Sequence, residues 1–564
     1  MKVIVVGGVA GGATAAARIR RLDEQAQIII FERSGYVSYA NCGLPYYIGG
    51  VITDPGELTL QTPEHFYTRY RVDVRVRHEV TAIDTARKCV HVRKLDTGEE
   101  WDERYDKLLL SPGAQPILPG AAAVAEDEAV FTLRTLEDTM RITRFLDEYK
   151  PRSVVLAGGG YIGVELAENL AARGLDVTIV QRPRQLLAPL DYDMACFVHA
   201  QLRSKGVRLL LGHTVTGVTR KDGMLTVQLQ GAPALQADMA VLALGVTPDT
   251  KLAADAGLSL GLKGSIAVNE HMQTSAPDVY AVGDAVEIRS SVSGLPACIP
   301  LAGPANKQGR IAADNICGRP SVFTGTQGTS VVQAFGLTAA ATGLNEKTAR
   351  TAGIACDRVV LSPLSHAGYY PGAAVMTMKV LFEPKTLRLL GAQIVGTQGV
   401  DKRIDVLATA IRVGMTGPQL AELDLAYAPP YGSAKDPVNM AGYLIENLAT
   451  GTVKQIHWDE LETLPRDGSV TLLDVRTPGE YAGGCAEGFV NIPVDELRER
   501  IGELDPAKPV CVMCQSALRS YIACRILTQH GFACRNFSGG YRFYRTVVQE
   551  RAAAEHALPC GMEK

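Results

Sequence analysis

Residues 3–17, with the sequence VIVVGGVAGGATAAA, decide the first part of the fold. Four apolar residues predict a buried strand, a glycine cluster follows, and the alanines beyond it favour a helix. The glycines of this turn are Gly7, Gly8, Gly11 and Gly12. The next predicted strand ends at Glu32, where a carboxylate can accept hydrogen bonds from ribose hydroxyls. The segment predicts a dinucleotide site with its pyrophosphate at the helix N-terminus, although Val9 replaces the middle glycine of G-x-G-x-x-G.

A second unit of the same kind begins with the predicted strand 154–157. Its turn has the complete G-x-G-x-x-G spacing, with glycines at Gly158, Gly160 and Gly163. The following strand ends at Gln181, where a site selective for NAD normally has Asp or Glu to hold the ribose 2′-OH. Arg182 and Arg184 come next, and they either accommodate a 2′-phosphate or form a solvated basic turn. The prediction is therefore NADH or NADPH, with use of both left open.

A third segment, residues 274–284, ends in Gly283 and Asp284. A strand ending in Gly-Asp resembles the segment of two-dinucleotide flavoproteins that places a carboxylate beside the ribityl chain of the flavin. Residues 109–114 and 242–248 resemble the crossing segments of the same proteins. The resemblance implies FAD as the first cofactor and an α/β fold with two dinucleotide-binding, Rossmann-like domains.

Cys42 lies in the sequence SYANCGLPYY, residues 38–47, about thirty residues after the first glycine turn. Flavin disulfide reductases usually have a Cys-x4-Cys pair in this region, and the second position here is Tyr47. A lone thiol cannot form a disulfide with a near neighbour. It has to cycle through a mixed disulfide with a small thiol, a persulfide or a sulfenic acid.

Residues 1 to about 445 resemble coenzyme A-disulfide reductase and its NADH oxidase and peroxidase relatives. The segments that carry this resemblance are SYANC at 38–42, YYPG at 369–372, GVDKRIDV at 399–406 and AYAPPY at 426–431. The resemblance implies that Cys42 is the nucleophile and that Tyr427 contacts flavin or substrate. Tyr369 matches a tyrosine that reaches the redox centre of the other subunit, which implies a homodimer. The implied substrate-binding residues, with coenzyme A as substrate or bound ligand, are Thr14, Arg18, Arg21, Ser38, Asn41 and Lys435.

Three positions depart from the family's pattern. A lysine of some relatives is Tyr70 here and a histidine is Asn306, so we expect coenzyme A to bind more weakly or with differently anchored phosphates. The histidine that peroxidases place in the glycine turn is Ala10, which disfavours peroxide reduction and leaves oxygen reduction as a side reaction.

Arg18 and Arg21 are three residues apart and share one helix face, which either binds phosphate or is a solvated basic surface.

The chain from about residue 459 resembles a single rhodanese domain, through residues 470–481, 509–520 and 536–541. Cys514 follows an apolar strand and begins a Cys-x4-Arg loop, in which N–H groups stabilise a thiolate or persulfide and Arg519 pairs with the anion. Ala517 replaces a glycine that is common in this loop. Cys511 also forms C-x-x-C with Cys514, but no second ligand pair follows at zinc spacing, so no metal site is predicted.

The chain has 564 residues, 46% of them hydrophobic, and a formal net charge of −3, which does not point to nucleic acid or an anionic membrane. No apolar stretch approaches the ~18 residues of a membrane span, and the N-terminus runs directly into a strand without a signal peptide. The 12 cysteines, scattered without disulfide spacing, are typical of reduced thiols, so a cytoplasmic location is predicted. The predicted domains are FAD-binding at 1–115 and 246–320, NAD(P)H-binding at 116–245, α+β dimerisation at 321–445, a linker at 446–458, and α/β rhodanese at 459–564.

These features predict an FAD-dependent NAD(P)H reductase of coenzyme A persulfide, polysulfide and disulfides. In this hypothesis Cys42 forms a mixed disulfide and releases sulfide or thiol, and Cys514 carries sulfane sulfur. The alternatives are a coenzyme A-disulfide reductase for thiol balance, an NADH oxidase, and a sulfurtransferase or sulfur-trafficking protein in which Cys514 performs the main chemistry.

Overall fold

The computed structural model describes residues 1–120, 127–221 and 223–556. The chain divides into two compact units. Among the described residues, the first comprises 1–183 and 207–328, and the second comprises 184–206 and 329–556.

The first unit contains two parallel sheets with helices beside them. The strands of the first sheet lie in the order Val279–Ala281, Lys107–Leu110, Lys2–Val6, Gln27–Glu32 and Val72–Val76. The strands of the second lie in the order Arg208–Leu211, Asp176–Gln181, Ser153–Ala157, Met239–Leu242 and Val130–Phe131. Their central strands are continuously apolar and buried, as expected for parallel strands covered on both faces. Both glycine turns therefore leave a sheet at the carboxyl end of a central strand.

Smaller antiparallel elements complete the first unit. One sheet contains His78–Asp84, Cys89–Lys94 and Glu100–Arg104, and another contains Val215–Lys221, Met224–Leu229 and Ala232–Ala237. The crossing segments Ala114–Pro116 and Val246–Pro248 pair with each other, as do Ile288–Arg289 and Pro296–Ala297. The α-helices of this unit are Ala10–Leu22, Leu44–Ile48, Pro63–Tyr70, Leu136–Tyr149, Tyr161–Ala172, Lys251–Asp255 and Ala302–Ile316.

The second unit contains an antiparallel sheet and a parallel sheet. The antiparallel strands lie in the order Ser330–Ala334, Leu337–Gly343, Leu389–Gly396, Thr377–Phe382 and Asp357–Leu361. The parallel strands lie in the order Gln455–Ile456, Cys534–Phe537, Val510–Met513, Thr471–Asp474 and Val490–Asn491. The α-helices are Tyr192–Ser204, Glu346–Thr351, Val400–Arg412, Gly417–Ala421, Pro437–Ala449, Trp458–Leu461, Pro478–Ala482, Leu497–Arg500, Leu518–Gln529 and Gly540–His556.

The two sheets of the second unit are joined by direct hydrogen bonds. The amide of Gly539 donates to the carbonyl of Val360 at 3.1 Å, and the amide of Val360 donates to the hydroxyl of Ser538 at 3.1 Å. Arg358 pairs with Asp459 at 2.6 Å. The edge strand of the antiparallel sheet thus contacts the loop that leads into the helix Gly540–His556.

A buried charge cluster lies in the same unit. The ammonium of Lys379 is completely buried and contacts the carboxylates of Asp191 at 3.0 Å and Asp193 at 2.8 Å, and that of Glu346. These three carboxylates are close enough to hold a metal ion, but the lysine already supplies their positive charge. The indole of Trp458 donates to Asp193 at 3.2 Å, so the C-terminal part of the chain takes part in this cluster.

The predicted α/β fold class is confirmed: each unit combines a parallel β-sheet with α-helices, and the second unit adds an antiparallel sheet. The domain boundaries stay predictions. The helix Pro437–Ala449 enters the predicted linker, and Gln455–Ile456 already pairs with the last sheet. No helix within the described residues is long and apolar enough to cross a lipid bilayer.

Candidate active sites

The first glycine turn is held by close backbone contacts. Gly7 has a φ of 92°, and a Cβ there would lie 2.1 Å from the carbonyl oxygen of Ser111. A Cβ on Gly12 would lie 1.9 Å from the carbonyl oxygen of Gly7. The amide of Gly8 donates to Glu32 at 2.8 Å. Glycine is therefore required at Gly7 and Gly12, and the buried carboxylate of Glu32 is fixed beside the turn.

A cavity of about 510 Å³ opens at this turn, and Gly7, Glu32, Asn41 and Arg134 are among its lining residues. Its volume lies within the range of cofactor sites. The side-chain oxygen of Asn41 is buried and has no hydrogen-bond partner among the described residues. Arg134 pairs at 2.9 Å with the carboxylate of Asp284, and the amide of Gly283 donates to Gln308 at 2.7 Å. The glycine cradle, the ribose-facing carboxylate and the free polar oxygen fit the dinucleotide FAD.

The second glycine turn repeats this geometry with a neutral side chain. Gly158 has a φ of 119°, and a Cβ on Gly163 would lie 2.0 Å from the carbonyl oxygen of Gly158. The amide of Gly159 donates to the side-chain oxygen of Gln181 at 2.9 Å. Gln181 therefore takes the position that Glu32 has in the first unit, without its charge. The two arginines that follow, Arg182 and Arg184, are exposed, and the helix after the turn begins beyond Gly160.

Cys42 lies in a 3₁₀ turn, Asn41–Gly43, directly before the helix Leu44–Ile48. Its side chain has solvent contact. Partial burial of the sulfur, followed by the charges of Glu165 and Asp284, raises the pKa of the Cys42 thiol. The protein groups around Cys42 therefore favour the thiol over the thiolate, and activation has to come from what binds there.

Glu165 and Tyr46 are site residues that the sequence analysis did not identify. The hydroxyl of Tyr46 donates to Glu165 at 3.2 Å. Burial raises the pKa of Glu165 to about 7, and burial with the Glu165 charge raises that of Tyr46 to about 12. The charge of Glu165 raises the pKa of the Cys42 thiol, and the charge of Cys42 contributes to the raised pKa of Tyr46, so this pair forms a proton-holding group beside the thiol. The sequence feature that could have identified Glu165 is a carboxylate in the helix that follows a nucleotide-binding turn.

The residues predicted to bind substrate are partly engaged within the first unit. The hydroxyl of Thr14 donates to Asn306 at 2.5 Å, and Arg18 pairs with Asp314 at 2.8 Å. Arg21 is exposed. Ser38 has a φ of 47° and its amide donates to the carbonyl of Gly8 at 2.9 Å, which ties the cysteine loop to the glycine turn. Of the two predicted arginines, Arg18 is therefore held by a carboxylate, and Arg21 presents its charge to solvent.

The predicted tyrosines of the second unit lie at its surface. Tyr369 is 77% exposed and Tyr427 is 47% exposed, and their hydroxyl oxygens are 2.8 Å apart. Tyr427 also lines a cavity of about 610 Å³, together with His366 and the buried Arg403. Lys435 is exposed nearby in sequence. Two large exposed aromatic side chains beside a cavity are typical of a surface that another molecule covers.

Cys514 lies at the carboxyl end of the strand Val510–Met513 and is completely buried. The hydroxyl of Ser520 donates to its sulfur at 3.3 Å. The amide of Tyr541 donates to its carbonyl at 2.7 Å, and a Cβ on Gly540 would lie 2.6 Å from the amide of Ser516. The loop is thus closed around the sulfur by its own hydroxyl and by the start of the last helix.

The structure adds detail on three residues in or near this loop, Arg519, Ala517 and Cys511. Arg519 makes a two-pronged contact with Glu480, at 2.7 and 2.8 Å, and this pairing lowers the pKa of Glu480 to about 2. The predicted partner of the sulfur anion is therefore already paired with a carboxylate. Ala517 has a φ of 70°, a left-handed conformation that glycine adopts more readily. Burial raises the pKa of Cys511 to about 12, so it is an inert thiol.

Three family models match the chain in succession. Residues 1–309 match the pyridine nucleotide-disulphide oxidoreductase model, residues 329–437 its dimerisation domain, and residues 457–545 the rhodanese-like domain. The chain belongs to the pyridine nucleotide-disulphide oxidoreductase family. The enzyme class is thereby confirmed as a pyridine nucleotide-dependent flavoprotein oxidoreductase, and the family implies FAD and NAD(P)H as cofactors.

Members of this family that resemble the chain include both predicted activities. The coenzyme A disulfide reductase of Staphylococcus haemolyticus is 38% identical over 451 residues, which are 79% of this chain and 100% of that protein. The reduced Bacillus anthracis CoADR-RHD structure is 46% identical, has a TM-score of 0.94 and covers 98% of each chain. An NAD-dependent persulfide reductase from A. fulgidus is 37% identical, with a TM-score of 0.90, and covers 96% of this chain and 100% of that one. The resemblance to a coenzyme A-disulfide or persulfide reductase fused to a rhodanese domain is confirmed.

Proposed function

We propose that the protein is an NAD(P)H-dependent reductase of coenzyme A persulfide, with coenzyme A disulfide as a second substrate. The observation that supports this most directly is the presence of two nucleophilic sulfur centres of different kinds in one chain. Cys42 adjoins the dinucleotide cavity, and Cys514 lies in a closed rhodanese loop. A disulfide alone contains no sulfane sulfur and gives the second centre nothing to carry.

At the first centre, the Cys42 thiolate attacks the coenzyme A sulfur of the persulfide. The sulfur–sulfur bond of the persulfide breaks, hydrosulfide leaves, and a mixed disulfide of Cys42 and coenzyme A forms. Two electrons and a proton then return Cys42 to the thiolate and release coenzyme A as a thiol. FAD, when bound, supplies the transfer of the electron pair from the nicotinamide. The Tyr46–Glu165 pair is placed to hold a proton for the departing sulfur.

At the second centre, Cys514 accepts or donates sulfane sulfur as a persulfide on its own sulfur. The Ser520 hydroxyl and the loop amides stabilise the anion. Polysulfide is a further candidate donor at this centre. Because the loop is hydrogen-bonded to the edge of the antiparallel sheet, a small carrier thiol is the proposed link to Cys42.

We infer that the enzyme works as a homodimer. Tyr369 and Tyr427 are exposed in the protomer, and exposed aromatic pairs of this kind are normally covered in the assembled protein. In the proposed dimer the pair, with Lys435, contributes to the substrate site of the other subunit. The nucleotide is NADH or NADPH, because the neutral Gln181 neither repels a 2′-phosphate nor holds a ribose hydroxyl with a charge.

The decisive experiment measures anaerobic NADH and NADPH oxidation by the FAD-loaded protein with coenzyme A persulfide and with coenzyme A disulfide. We expect faster turnover of the persulfide, with one sulfide released for each nucleotide oxidised. Faster turnover of the disulfide would instead establish a thiol-balance enzyme, the second candidate, which the 38% identity to a coenzyme A disulfide reductase favours. Negligible NAD(P)H oxidation with either substrate, together with strong thiosulfate:cyanide transfer that persists in Cys42→Ser, would point to a sulfurtransferase.

A further inference from the structure

Two arginines beside the rhodanese loop have no acidic partner. Arg542 and Arg545 lie three residues apart on the helix Gly540–His556, so they share one face. In the ranges 1–120, 127–221 and 223–556, neither forms an ion pair with a carboxylate. Burial and the charge of Arg545 lower the pKa of Arg542, as expected for a cation whose nearest charged neighbour is another cation.

The backbone places both residues next to Cys514. The amide of Arg542 donates to the carbonyl of Gln515 at 3.2 Å, one residue after the contact between Tyr541 and Cys514 at 2.7 Å. The guanidinium of Arg545 lies 5.9 Å from the ring centre of Tyr541. Arg542 therefore contacts the loop through its backbone, and the charge of Arg545 lies near the segment that closes the loop.

The other arginines of this loop are neutralised. Arg519 is paired with Glu480, and Arg476 is paired at 2.7 Å with the completely buried Asp474. Arg542 and Arg545, on the last helix, are thus the arginines at this loop that pair with no carboxylate of the described residues. Leu518, at the end of the loop, is 56% exposed and presents an apolar surface.

We propose that Arg542 and Arg545 form an anion subsite that binds the phosphate groups of a phosphorylated thiol carrier while its persulfide reaches Cys514. Arginine pairs suit phosphate because the guanidinium matches its oxygens in a two-pronged geometry. The inference rests on the proposed function, and it identifies the donor as a phosphate-bearing persulfide such as coenzyme A persulfide. Leu518 supplies apolar contact for the carrier's arm.

The transfer at this site needs no oxidant. The Cys514 thiolate attacks the outer, sulfane sulfur of the carrier persulfide, and the bond between that sulfur and the carrier sulfur breaks. The carrier leaves as a thiolate and takes up a proton from solvent. The sulfane sulfur, with its hydrogen, remains on Cys514 as a persulfide, and no net oxidation or reduction occurs.

The test compares donors with and without phosphate. Thiocyanate formation from cyanide is measured on the full-length FAD-loaded protein, without nicotinamide, using coenzyme A persulfide, pantetheine persulfide and thiosulfate. Rates are taken above those of the Cys514→Ser variant. We expect Arg542→Gln/Arg545→Gln to raise KM for coenzyme A persulfide roughly ten- to a hundred-fold and to leave KM for pantetheine persulfide unchanged.

Two controls separate binding from misfolding. Arg542→Lys/Arg545→Lys retains both charges and is expected to recover most of the affinity for coenzyme A persulfide. Arg498→Gln removes an exposed arginine elsewhere in the same domain and is expected to change neither KM. An equal rise of KM for both persulfides, or no rise for either, would overturn the inference.

The measurement with thiosulfate tests which anion the two arginines bind. A KM for thiosulfate that rises as much as that for coenzyme A persulfide would mean that the arginines bind the sulfane anion itself, which overturns the phosphate assignment. If coenzyme A persulfide is no donor to Cys514, the inference fails, and the proposed function is then decided separately by the anaerobic reduction of coenzyme A persulfide. If coenzyme A persulfide is a donor but its KM is the same in Arg542→Gln/Arg545→Gln as in the unmodified protein, only the inference fails.

Discussion

Cys42 and Cys514, the two proposed sulfur nucleophiles, both lie on loops, yet their surroundings differ. Cys42 has solvent contact, and its nearest charges are the carboxylates of Glu165 and Asp284, which raise its pKa. Cys514 is completely buried and accepts a hydrogen bond from Ser520 within its own loop. Cys42 therefore depends on bound groups for its activation, whereas the anion of Cys514 is stabilised by a hydroxyl group of the protein itself.

The largest expected effect comes from removing each sulfur separately. Cys42→Ser should lower thiol-linked NAD(P)H oxidation about a thousand-fold or more and leave thiosulfate:cyanide transfer intact, because the two reactions use different nucleophiles. Cys514→Ser should abolish the transfer and leave coenzyme A disulfide reduction. Both rates are measured on each purified variant. A loss of both activities in either variant would mean that the two sulfurs act as one centre.

A smaller effect is expected from Ser520→Ala. The change removes the hydroxyl that donates to the Cys514 sulfur, so sulfur transfer should fall about ten-fold. The rate of thiocyanate formation checks this. Ser469→Ala, whose hydroxyl bonds Asp467 at the surface, is the matched control. An unchanged rate in Ser520→Ala would show that this hydroxyl does not stabilise the sulfur anion.

The corresponding change at the other sulfur is Glu165→Gln. Removing a carboxylate that raises the pKa of Cys42 should lower that pKa and speed alkylation of Cys42 roughly two- to five-fold near pH 8. Because the pKa of Glu165 is about 7, the difference should disappear well below pH 7, where the carboxyl is already neutral. Labelling rates from pH 5 to 9 test this. Glu99→Gln, which removes an exposed carboxylate of the same unit, is the control, and a difference that persists at low pH would contradict the electrostatic cause.

The smallest effect is expected from breaking the ion pair between Arg519 and Glu480. Both side chains are about one-third exposed, so Glu480→Gln should cost only about 0.5–1 kcal/mol of stability at pH 7. The folded pKa of Glu480 is about 2, below its ordinary 4.5, so this contribution is present above pH 4.5 and lost as pH falls towards 2. Thermal unfolding midpoints across that range test the sign. A difference that grows on acidification would contradict it.

The sequence predicted much of both sulfur sites because local spacing carries their chemistry. The two glycine turns, the lone Cys42 and the Cys-x4-Arg loop are each defined within a few residues of chain. Glu165 was missed because it is contributed by a different dinucleotide unit, 119 residues from its partner Tyr46. Arg519 was predicted to pair with the sulfur anion, and the pairing with Glu480, 39 residues earlier, was not predicted. Such long-range pairings depend on packing, which spacing alone does not encode.

The fold class, the enzyme family and the candidate sulfur nucleophiles could be inferred from the sequence, because strand periodicity, glycine turns and cysteine loops are local features. Which groups face each thiol depends on how distant segments pack. Packing brings carboxylates to Cys42, the Ser520 hydroxyl to the Cys514 sulfur, and two arginines of the last helix to the segment that closes the loop. Electrostatic influence acts through space and is strengthened by burial, so it is settled only when distant segments have packed.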